Sequence, residues 1–187
     1  MRKSNHWKRI CFIIPLFADG ASPSVLLQAT DGSFYGTAMA GGANSFGTIF
    51  KITSAGTLTT LHDFNFYDGC NPVGGSVLVQ GTDGNFYGTT TGGGANSDGM
   101  VFSLSVGRGP FVKTQTSSGK VGAPVNILGT NLTGAASVRF NGTAAAFRVV
   151  LPSLIAAAVP AGATTGRVQV TTPAETLFGN VAFLVTP

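Results

Sequence analysis

The aspartates are the first candidates for chemistry, because two carboxylates can serve as general acid and general base. Asp31 and Asp83 hold the same position in two similar stretches, TDGSFYGT and TDGNFYGT. A repeated position favours a structural role, since a turn needs its aspartate in every copy whereas an active site needs one. In Thr-Asp-Gly the carboxylate accepts backbone N–H bonds two residues on, and the glycine adopts a positive φ. We therefore interpret both aspartates as turn-capping residues.

Other candidates for catalysis or metal binding lack partners in the sequence. Glu175 is the only glutamate, and no G-x-S-x-G elbow accompanies His62. Asp83, Asn85 and Asp98 are spaced too widely for a calcium loop, and no CxxC or Cys/His cluster predicts zinc. We assign no catalytic, cofactor-binding or metal-binding residue. The sequence therefore predicts a protein that is not an enzyme and needs no cofactor.

The repeated aspartates belong to a longer internal repeat. Ser24–Ile52 aligns with Ser76–Leu104, an offset of 52 positions, which lies in the range of propeller blades. Phe-Tyr-Gly-Thr alternates as a half-buried strand, with a glycine that we expect to admit a neighbouring backbone. Further strands are predicted at Thr48–Ile52 and Met100–Leu104, and at Leu58–Phe64 after a turn. Each repeat thus predicts four short antiparallel strands, the content of one blade.

The strings DG-FYGT, GG-ANS-G and the trailing G-L--L--F resemble the GloVer tandem repeat of secreted bacterial proteins. The resemblance covers residues 17–107 and implies propeller-like repeats in an exported, often surface-anchored protein of unassigned activity. A propeller closes with about four to eight blades, whereas this chain holds two. We therefore expect open blade edges, which drive self-association unless they are covered.

Residues 1–16 have two interpretations. A basic start and a short apolar run have the outline of a secretory leader. Alternatively, Phe17–Gly20 matches Phe66–Gly69, so that Ile10–Phe17 stands where a preceding blade would place Leu58–Phe66. The apolar run is too short to span a membrane as a helix, and no other segment approaches the required length of about 20 residues.

A different pattern begins at residue 108, where turn signals separate short apolar strands. The Asn141-Gly142 pair is a strong hairpin signal. The predicted strands are Val125–Leu128, Ser137–Phe140, Ser153–Val159, Gly166–Thr171 and Val181–Val185. Their period-2 spacing predicts that these side chains face inward: Val125, Ile127, Val138, Phe140, Val168, Val170 and Phe183. Such a series predicts a small β-sandwich.

The strings GTNL, V-FNG and VP-G---G-V-VTT resemble the IPT/TIG domain, an immunoglobulin-like module. The resemblance covers residues 108–187 and implies a spacer or adhesive element outside the cell. Some eukaryotic relatives contact DNA through loops with basic clusters, which this chain lacks. We therefore expect no nucleic-acid partner.

Composition supports this organisation. Charged residues make up 10% of the chain and glycine is abundant at 27 residues, which favours strands and tight turns over helices. Residues 11–107 hold one lysine and six aspartates, whereas 108–187 hold six basic residues and one glutamate. The predicted fold is therefore all-β, with two four-stranded blade-like repeats at 17–107 and an immunoglobulin-like sandwich at 108–187.

Three functions are compatible with these features. The first is a non-catalytic, secreted or cell-surface protein that acts as a scaffold, an adhesion module or a glycan-binding module. The alternative is a fragment of an extracellular polysaccharide-acting enzyme that carries an accessory IPT/TIG domain. The third, a nucleic-acid binder, would show salt-dependent retention on DNA. The sequence favours the first and leaves the partner, a surface glycan or a protein, unnamed.

Overall fold

The computed structural model describes residues 18–24, 26–72 and 78–187, in which all regular structure is β-strand and no helix occurs. The prediction of an all-β protein is thus confirmed for these residues. The described part of the chain offers no helix with the length and apolarity that crossing a bilayer requires. The predictions for residues 1–16 fall outside the described residues.

Two compact units divide the chain. The first unit holds the described residues up to Val79 together with Tyr87–Ser103. The second unit holds Gln80–Phe86 together with Leu104–Pro187. The Thr-Asp-Gly turn of the second repeat therefore belongs to the second unit, whereas that of the first repeat belongs to the first unit.

The first repeat forms a five-stranded antiparallel sheet. Strand β3 is flanked by β4 on one edge and by the two short strands β1 and β2 on the other, and β5 lies outside β4. The strands are β1 (Ala21–Pro23), β2 (Leu27–Gln28), β3 (Phe34–Ala40), β4 (Thr48–Ile52) and β5 (Leu58–Asp63). The predicted bounds of β4 are confirmed, and β3 extends beyond the predicted Phe-Tyr-Gly-Thr core.

The second repeat forms a four-stranded sheet. Its strands are β6 (Cys70–Pro72), β7 (Val79–Gln80), β8 (Phe86–Gly92) and β9 (Val101–Leu104). They correspond to β1, β2, β3 and β4, and β8 pairs with the other three. Among the described residues, no strand lies beside β9 in the place that β5 takes beside β4. The second sheet thus has the four strands predicted for each repeat, whereas the first sheet has five, one more than predicted.

The two hairpin loops repeat in detail. Gly42 and Ser45 have φ values of 80° and 64°, and Gly94 and Ser97 have 77° and 61°. In each loop the serine N–H donates to the glycine carbonyl at 3.2 Å. The Gly-Gly-Ala-Asn-Ser sequence therefore specifies the same connection twice, because its glycines allow the left-handed backbone that most residues avoid.

Aromatic rings join the two sheets inside the first unit. Phe64 is buried and meets Phe102 edge-on, with ring centroids 5.2 Å apart. The strand glycines accommodate rings rather than the expected backbone: a Cβ on Gly36 would lie 2.7 Å from the ring of Phe50. Gly88 stands in the same relation to Phe102. Each glycine is thus needed by the phenylalanine on the neighbouring strand of its own repeat.

Two sheets make up most of the second unit, with orders β10-β12-β16-β15 and β11-β18-β17-β13-β14. The β11–β18 pair is parallel. The strands are β10 (Lys113–Thr114), β11 (Ser118–Lys120), β12 (Pro124–Leu128), β13 (Ser137–Phe140), β14 (Thr143–Ala144), β15 (Phe147–Leu151), β16 (Leu154–Ala158), β17 (Gly166–Thr171) and β18 (Thr176–Thr186). The predicted bounds of β13 and β17 are confirmed, and β18 begins five residues before the prediction.

A single apolar cluster lies between the residues that these two sheets contribute. All seven side chains predicted to face inward belong to it and are at most 2% exposed. Phe140 and Phe183 meet edge-on, with centroids 5.2 Å apart. Burial of a valine, isoleucine or phenylalanine side chain contributes about 1.5–3 kcal/mol, so this cluster is the main source of stability in the unit.

Candidate functional site

Asp31 lies at the centre of a polar cluster in the first repeat. Its carboxylate accepts the backbone N–H of Ser33 at 3.0 Å and the hydroxyl of Tyr35 at 3.1 Å. The Nζ of Lys51 on β4 donates to the same carboxylate at 3.1 Å. The side chain of Asp31 is only 7% exposed. The predicted turn-capping role of Asp31 is confirmed.

Lys51 supplies the positive charge that pairs with the Asp31 carboxylate in this cluster. The hydrogen bond to Asp31 raises the pKa of the Lys51 amine above its usual value of 10.5, partly offset by desolvation. The amine also lies 5.6 Å from the ring centroid of Tyr35, within the range of a cation–π contact. The Asp31 carboxylate is thus held by an ammonium, a phenol and a backbone amide at once.

Asp83 caps the corresponding turn of the second repeat. Its carboxylate accepts the backbone N–H of Asn85 at 3.1 Å and the side-chain amide of the same residue at 2.9 Å. The adjoining glycines, Gly32 and Gly84, have φ values of 77° and 91°. The turn chemistry predicted from Thr-Asp-Gly is therefore confirmed in both copies.

Two further aspartates of the first unit, Asp63 and Asp68, also cap loops. Asp63 accepts the N–H of Ala43 at 2.7 Å, which ties the end of β5 to the glycine-rich hairpin loop. Asp68 accepts the N–H of Asn65 at 2.7 Å, and its other oxygen lies 3.2 Å from Nε2 of His62. The only histidine in the described residues is thus engaged with a turn-forming carboxylate.

No metal site emerges from the part of the chain that the structure describes. It contains no group of three or more His, Cys, Asp or Glu side chains placed to hold an ion. Cys70 is buried and free, and Cys11 and His6 lie outside the described residues. Asn141, predicted to lie in a hairpin turn, has a φ of 44°, which is typical of an asparagine in a turn.

An exposed aromatic turn follows β5, and it is the candidate contact surface of the first unit. Asn65 accepts the N–H groups of Tyr67 and Asp68 at 2.9 and 3.1 Å, while Asp68 in return accepts the N–H of Asn65. This reciprocal capping fixes the backbone of the turn. Tyr67 is 87% exposed and Phe66 is 42% exposed.

A third ring extends this aromatic turn. Phe46, in the hairpin loop between β3 and β4, lies 6.0 Å from Phe66 between ring centroids. The sequence analysis did not identify this aromatic turn as a contact surface, although the string Asn-Phe-Tyr-Asp-Gly contains the pattern that indicates it. The Asn-x-x-Asp spacing predicts a capped turn, and the two aromatic residues stand at its tip.

Comparison with known proteins identifies the repeat. The family described as the Gloeobacter/Verrucomicrobia repeat matches residues 8–145, and the chain belongs to this family. The match confirms the repeat resemblance that the sequence suggested. No curated protein matches the chain.

One solved structure that matches is a novel fungal alcohol oxidase of the AA5 family, in complex with copper. It is 16% identical to this chain, with a TM-score of 0.31, and the match covers 89% of this chain and 42% of the oxidase. The chain thus spans less than half of that protein. A likeness at this level carries no argument about the fold or the chemistry of this chain.

Proposed function

We propose that this protein is a non-catalytic, exported scaffold or adhesion protein that acts at the cell surface or in the extracellular space. Two propeller-blade-like repeats over 17–107 form one part, and an immunoglobulin-like sandwich of the IPT/TIG type over 108–187 forms the other. The proposal includes contact with surface glycans through the aromatic turn of the first unit.

The use of the repeated acids carries the non-catalytic part of this proposal. The carboxylates of Asp31 and Asp83 each accept the backbone N–H of the residue two positions further along the chain. A carboxylate that caps the same turn in both repeats is best explained by a contribution to stability. Family membership supports a repeat protein.

The organisation of the second unit supports the IPT/TIG assignment. Two sheets contribute to one apolar cluster, as the two layers of a sandwich do. The Asn141-Gly142 turn joins β13 to β14, with Phe140 opposite Thr143, at the position where the motif reads V-FNG. The charge difference between the two parts of the chain accords with two modules of different origin.

The aromatic turn supports a glycan partner. A flat, solvent-exposed ring can stack on the apolar face of a sugar, while its polar neighbours bind hydroxyl groups. Tyr67 and Phe66 present such rings on a backbone fixed by Asn65 and Asp68. Because the turn is already ordered by its own hydrogen bonds, binding would cost little additional conformational entropy.

Affinity electrophoresis through gels that contain soluble polysaccharides tests the glycan part. We expect at least one polysaccharide to retard the full chain, and Tyr67→Ala to lose most of that retardation. The matched control is Val181→Ala, which removes an apolar side chain that is 55% exposed in the second unit. Equal retardation of both variants would contradict the assignment of the turn.

Two further measurements test the remaining parts. Fractionation of the natural host should recover the protein outside the cytoplasm, and recovery in the cytoplasm would contradict export. Incubation with the same polysaccharides should release no reducing ends. Release of reducing ends that a point substitution abolishes, at unchanged thermal stability, would instead favour the polysaccharide-acting enzyme.

A further inference from the structure

One face of the sheet β11-β18-β17-β13-β14 covers the apolar cluster of the second unit, and its other face carries exposed side chains. Val138 and Phe140 on β13, like Val168 on β17, lie in the cluster. Successive side chains of a strand point to opposite faces of its sheet, so the residues between these three point outward. The residues of this outer surface, which we name the arginine face, include Arg139, Arg167, Gln169, Phe178 and Lys120.

Arg139 and Arg167 are diagonal neighbours on adjacent strands of this face. Arg139 pairs with Gln169 in the β13–β17 ladder, so Arg167 occupies the next outward position along β17. Diagonal neighbours of this kind are about 7–8 Å apart. Both arginines are exposed, and a guanidinium keeps its charge across the physiological pH range. The face therefore carries two permanent positive charges close together.

A hydrogen bond fixes the direction of the Arg139 side chain. Its Nη1 donates to the carbonyl of Gly142, in the turn between β13 and β14, at 2.9 Å. A guanidinium has five N–H donors in a planar fork, and this bond uses one of them. The other donors suit a carboxylate, which a guanidinium binds through two parallel hydrogen bonds. Arg139 is thus oriented in advance for an anionic ligand.

An amide and an aromatic ring continue the row that begins at Arg139. Gln169 stands opposite Arg139 on one side and opposite Phe178 on the other, so these side chains form one row across three strands. Phe178 is 46% exposed, whereas the preceding residue, Leu177, is buried in the apolar cluster. An exposed ring can stack on the apolar face of a sugar, and an amide can bind sugar hydroxyl groups.

The acidic residues of the second unit lie outside the strands of this sheet. The unit contains two, Asp83 and Glu175. Asp83 caps its own turn through the N–H of Asn85, and Glu175 lies in the turn that joins β17 to β18. A third cation, Lys120 on β11, is exposed on the same face as the arginines. The electrostatic potential of this face is therefore positive, which attracts a polyanion.

We propose that the arginine face binds an acidic polysaccharide, with Arg139 and Arg167 pairing with carboxylates of the polymer and Phe178 stacking on one of its sugar rings. A linear polymer of uronic acids is complementary to this face, because it combines repeated carboxylates with hydroxyl groups and apolar ring faces. The surface lies in the second unit, so the inference does not rest on the glycan contact proposed for the aromatic turn.

Two other kinds of polyanion fit the arginine face less well. Proteins that bind duplex DNA typically make about 6–10 phosphate contacts, and segments that bind anionic lipid surfaces carry about four to eight basic residues. The face described above offers Arg139, Arg167 and Lys120. For a sugar polymer this number suffices, because the amide of Gln169 and the ring of Phe178 add neutral contacts that a phosphate backbone or a lipid headgroup layer does not need.

Isothermal titration calorimetry of the full chain with polygalacturonate, at physiological ionic strength, tests the proposal. We expect saturable binding that weakens about tenfold or more when the polymer is fully methyl-esterified, because the esters carry no charge. Arg139→Gln and Arg167→Gln should each weaken the binding about fivefold, the upper range for an exposed ion pair. The double variant should weaken it about twentyfold, and thermal unfolding of each variant should match that of the parent chain, since both side chains are exposed.

Arg148→Gln is the matched control for charge. It removes the same charge from β15, where Arg148 is exposed on the outer face of the other sheet. Packed sheets lie about 10 Å apart, so this charge is farther from the arginine face than the Debye length of about 8 Å. We expect less than about a twofold change in affinity. Leu151→Ala, at a side chain 54% exposed on the same strand, is the control for Phe178→Ala, which should weaken the binding about fivefold.

Several outcomes would overturn the proposal. One is the lack of binding to both polygalacturonate and alginate, a second polymer of uronic acids. Equal weakening by Arg148→Gln would show that only net charge matters, and binding that survives the double variant would belong to other bases, such as the four in residues 2–9. Tighter binding of duplex DNA or of anionic vesicles, lost in the same double variant, would assign the face to that polyanion instead. Tyr67→Ala should keep the affinity for polygalacturonate, so this test and that of the aromatic turn fail independently.

Discussion

Replacement of Asp31 by alanine tests the structural interpretation of the repeated acids most directly. The substitution removes the cap on Ser33, the acceptor of the Tyr35 hydroxyl and the partner of Lys51. A hydrogen bond to a charged group is worth about 1.5–3 kcal/mol, and the partly exposed Lys51 adds about 0.5–1 kcal/mol. Because Tyr35 is 1% exposed, water does not easily replace the lost acceptor. We expect a loss of about 4 kcal/mol in the free energy of unfolding.

Urea unfolding followed by circular dichroism measures this loss. With two compact units, the transition of the first unit should move and that of the second should stay, so two transitions are fitted. The matched variant is Lys51→Met, which removes the ion pair and the contact with the Tyr35 ring but keeps the Asp31 cap, and it should cost about 1 kcal/mol. The double variant Asp31→Ala/Lys51→Met should then cost less than the two single losses together, because both remove the same pair.

The reasoning fails if Asp31→Ala shifts the first transition no more than Lys51→Met does. In that case the cap and the tyrosine bond contribute nothing, and the carboxylate is free for another task. Asp83→Ala should also destabilise the protein, since Asp83 caps its own turn. A stable Asp83→Ala variant would restrict the argument to the first repeat.

Three further predictions follow from other contacts. The stabilisation by Lys51, measured as the difference between the parent and Lys51→Met, should be full below pH 10.5 and vanish as the pH rises through the raised pKa of its amine; a constant difference would contradict the pairing. Gly36→Ala and Gly88→Ala should each cost about 1–3 kcal/mol in thermal or urea unfolding, because a Cβ collides with the facing phenylalanine ring, whereas Gly109→Ala, with open space around it, should cost little. Residues 110–187 expressed alone should melt cooperatively with β-type circular dichroism, and a disordered spectrum would contradict an independent apolar core.

Local patterns predicted much of this fold. The alternation of apolar residues in β13 and β17 predicted the bounds of both strands and their buried faces. Each strand has one face on the apolar core, and a shift by one residue would turn the apolar side chains away from it. Thr-Asp-Gly predicted both capped turns, since the interacting groups lie two residues apart in the chain. Signals that act over a few residues are readable without knowledge of the rest of the molecule.

The features that were missed depend on distant neighbours. The Asp31–Lys51 pair joins residues 20 positions apart, and nothing in the Thr-Asp-Gly motif announces it, since serine stands at the corresponding position 103. Gly36 was expected to admit a backbone, but the neighbour is the ring of Phe50. The early start of β18 at Thr176 was also missed, because Leu177 and Phe178 are adjacent apolar residues in the sequence, although only Leu177 is buried.

The two repeats differ because different residues follow them. In the first repeat, the residues after β4 return as β5. In the second, Lys113 and Thr114, near the corresponding place, form β10 and pair with β12 of the second unit. The turn 80–86 belongs to this unit too: the carbonyl of Thr82 accepts the N–H of Phe111, and its hydroxyl lies 2.7 Å from that of Thr130. Gly84 is packed against the backbone of residues 108 and 109, whereas Gly32 has open space. One motif is thus retained for its turn in both repeats, while the residues that follow the second repeat pair within the second unit.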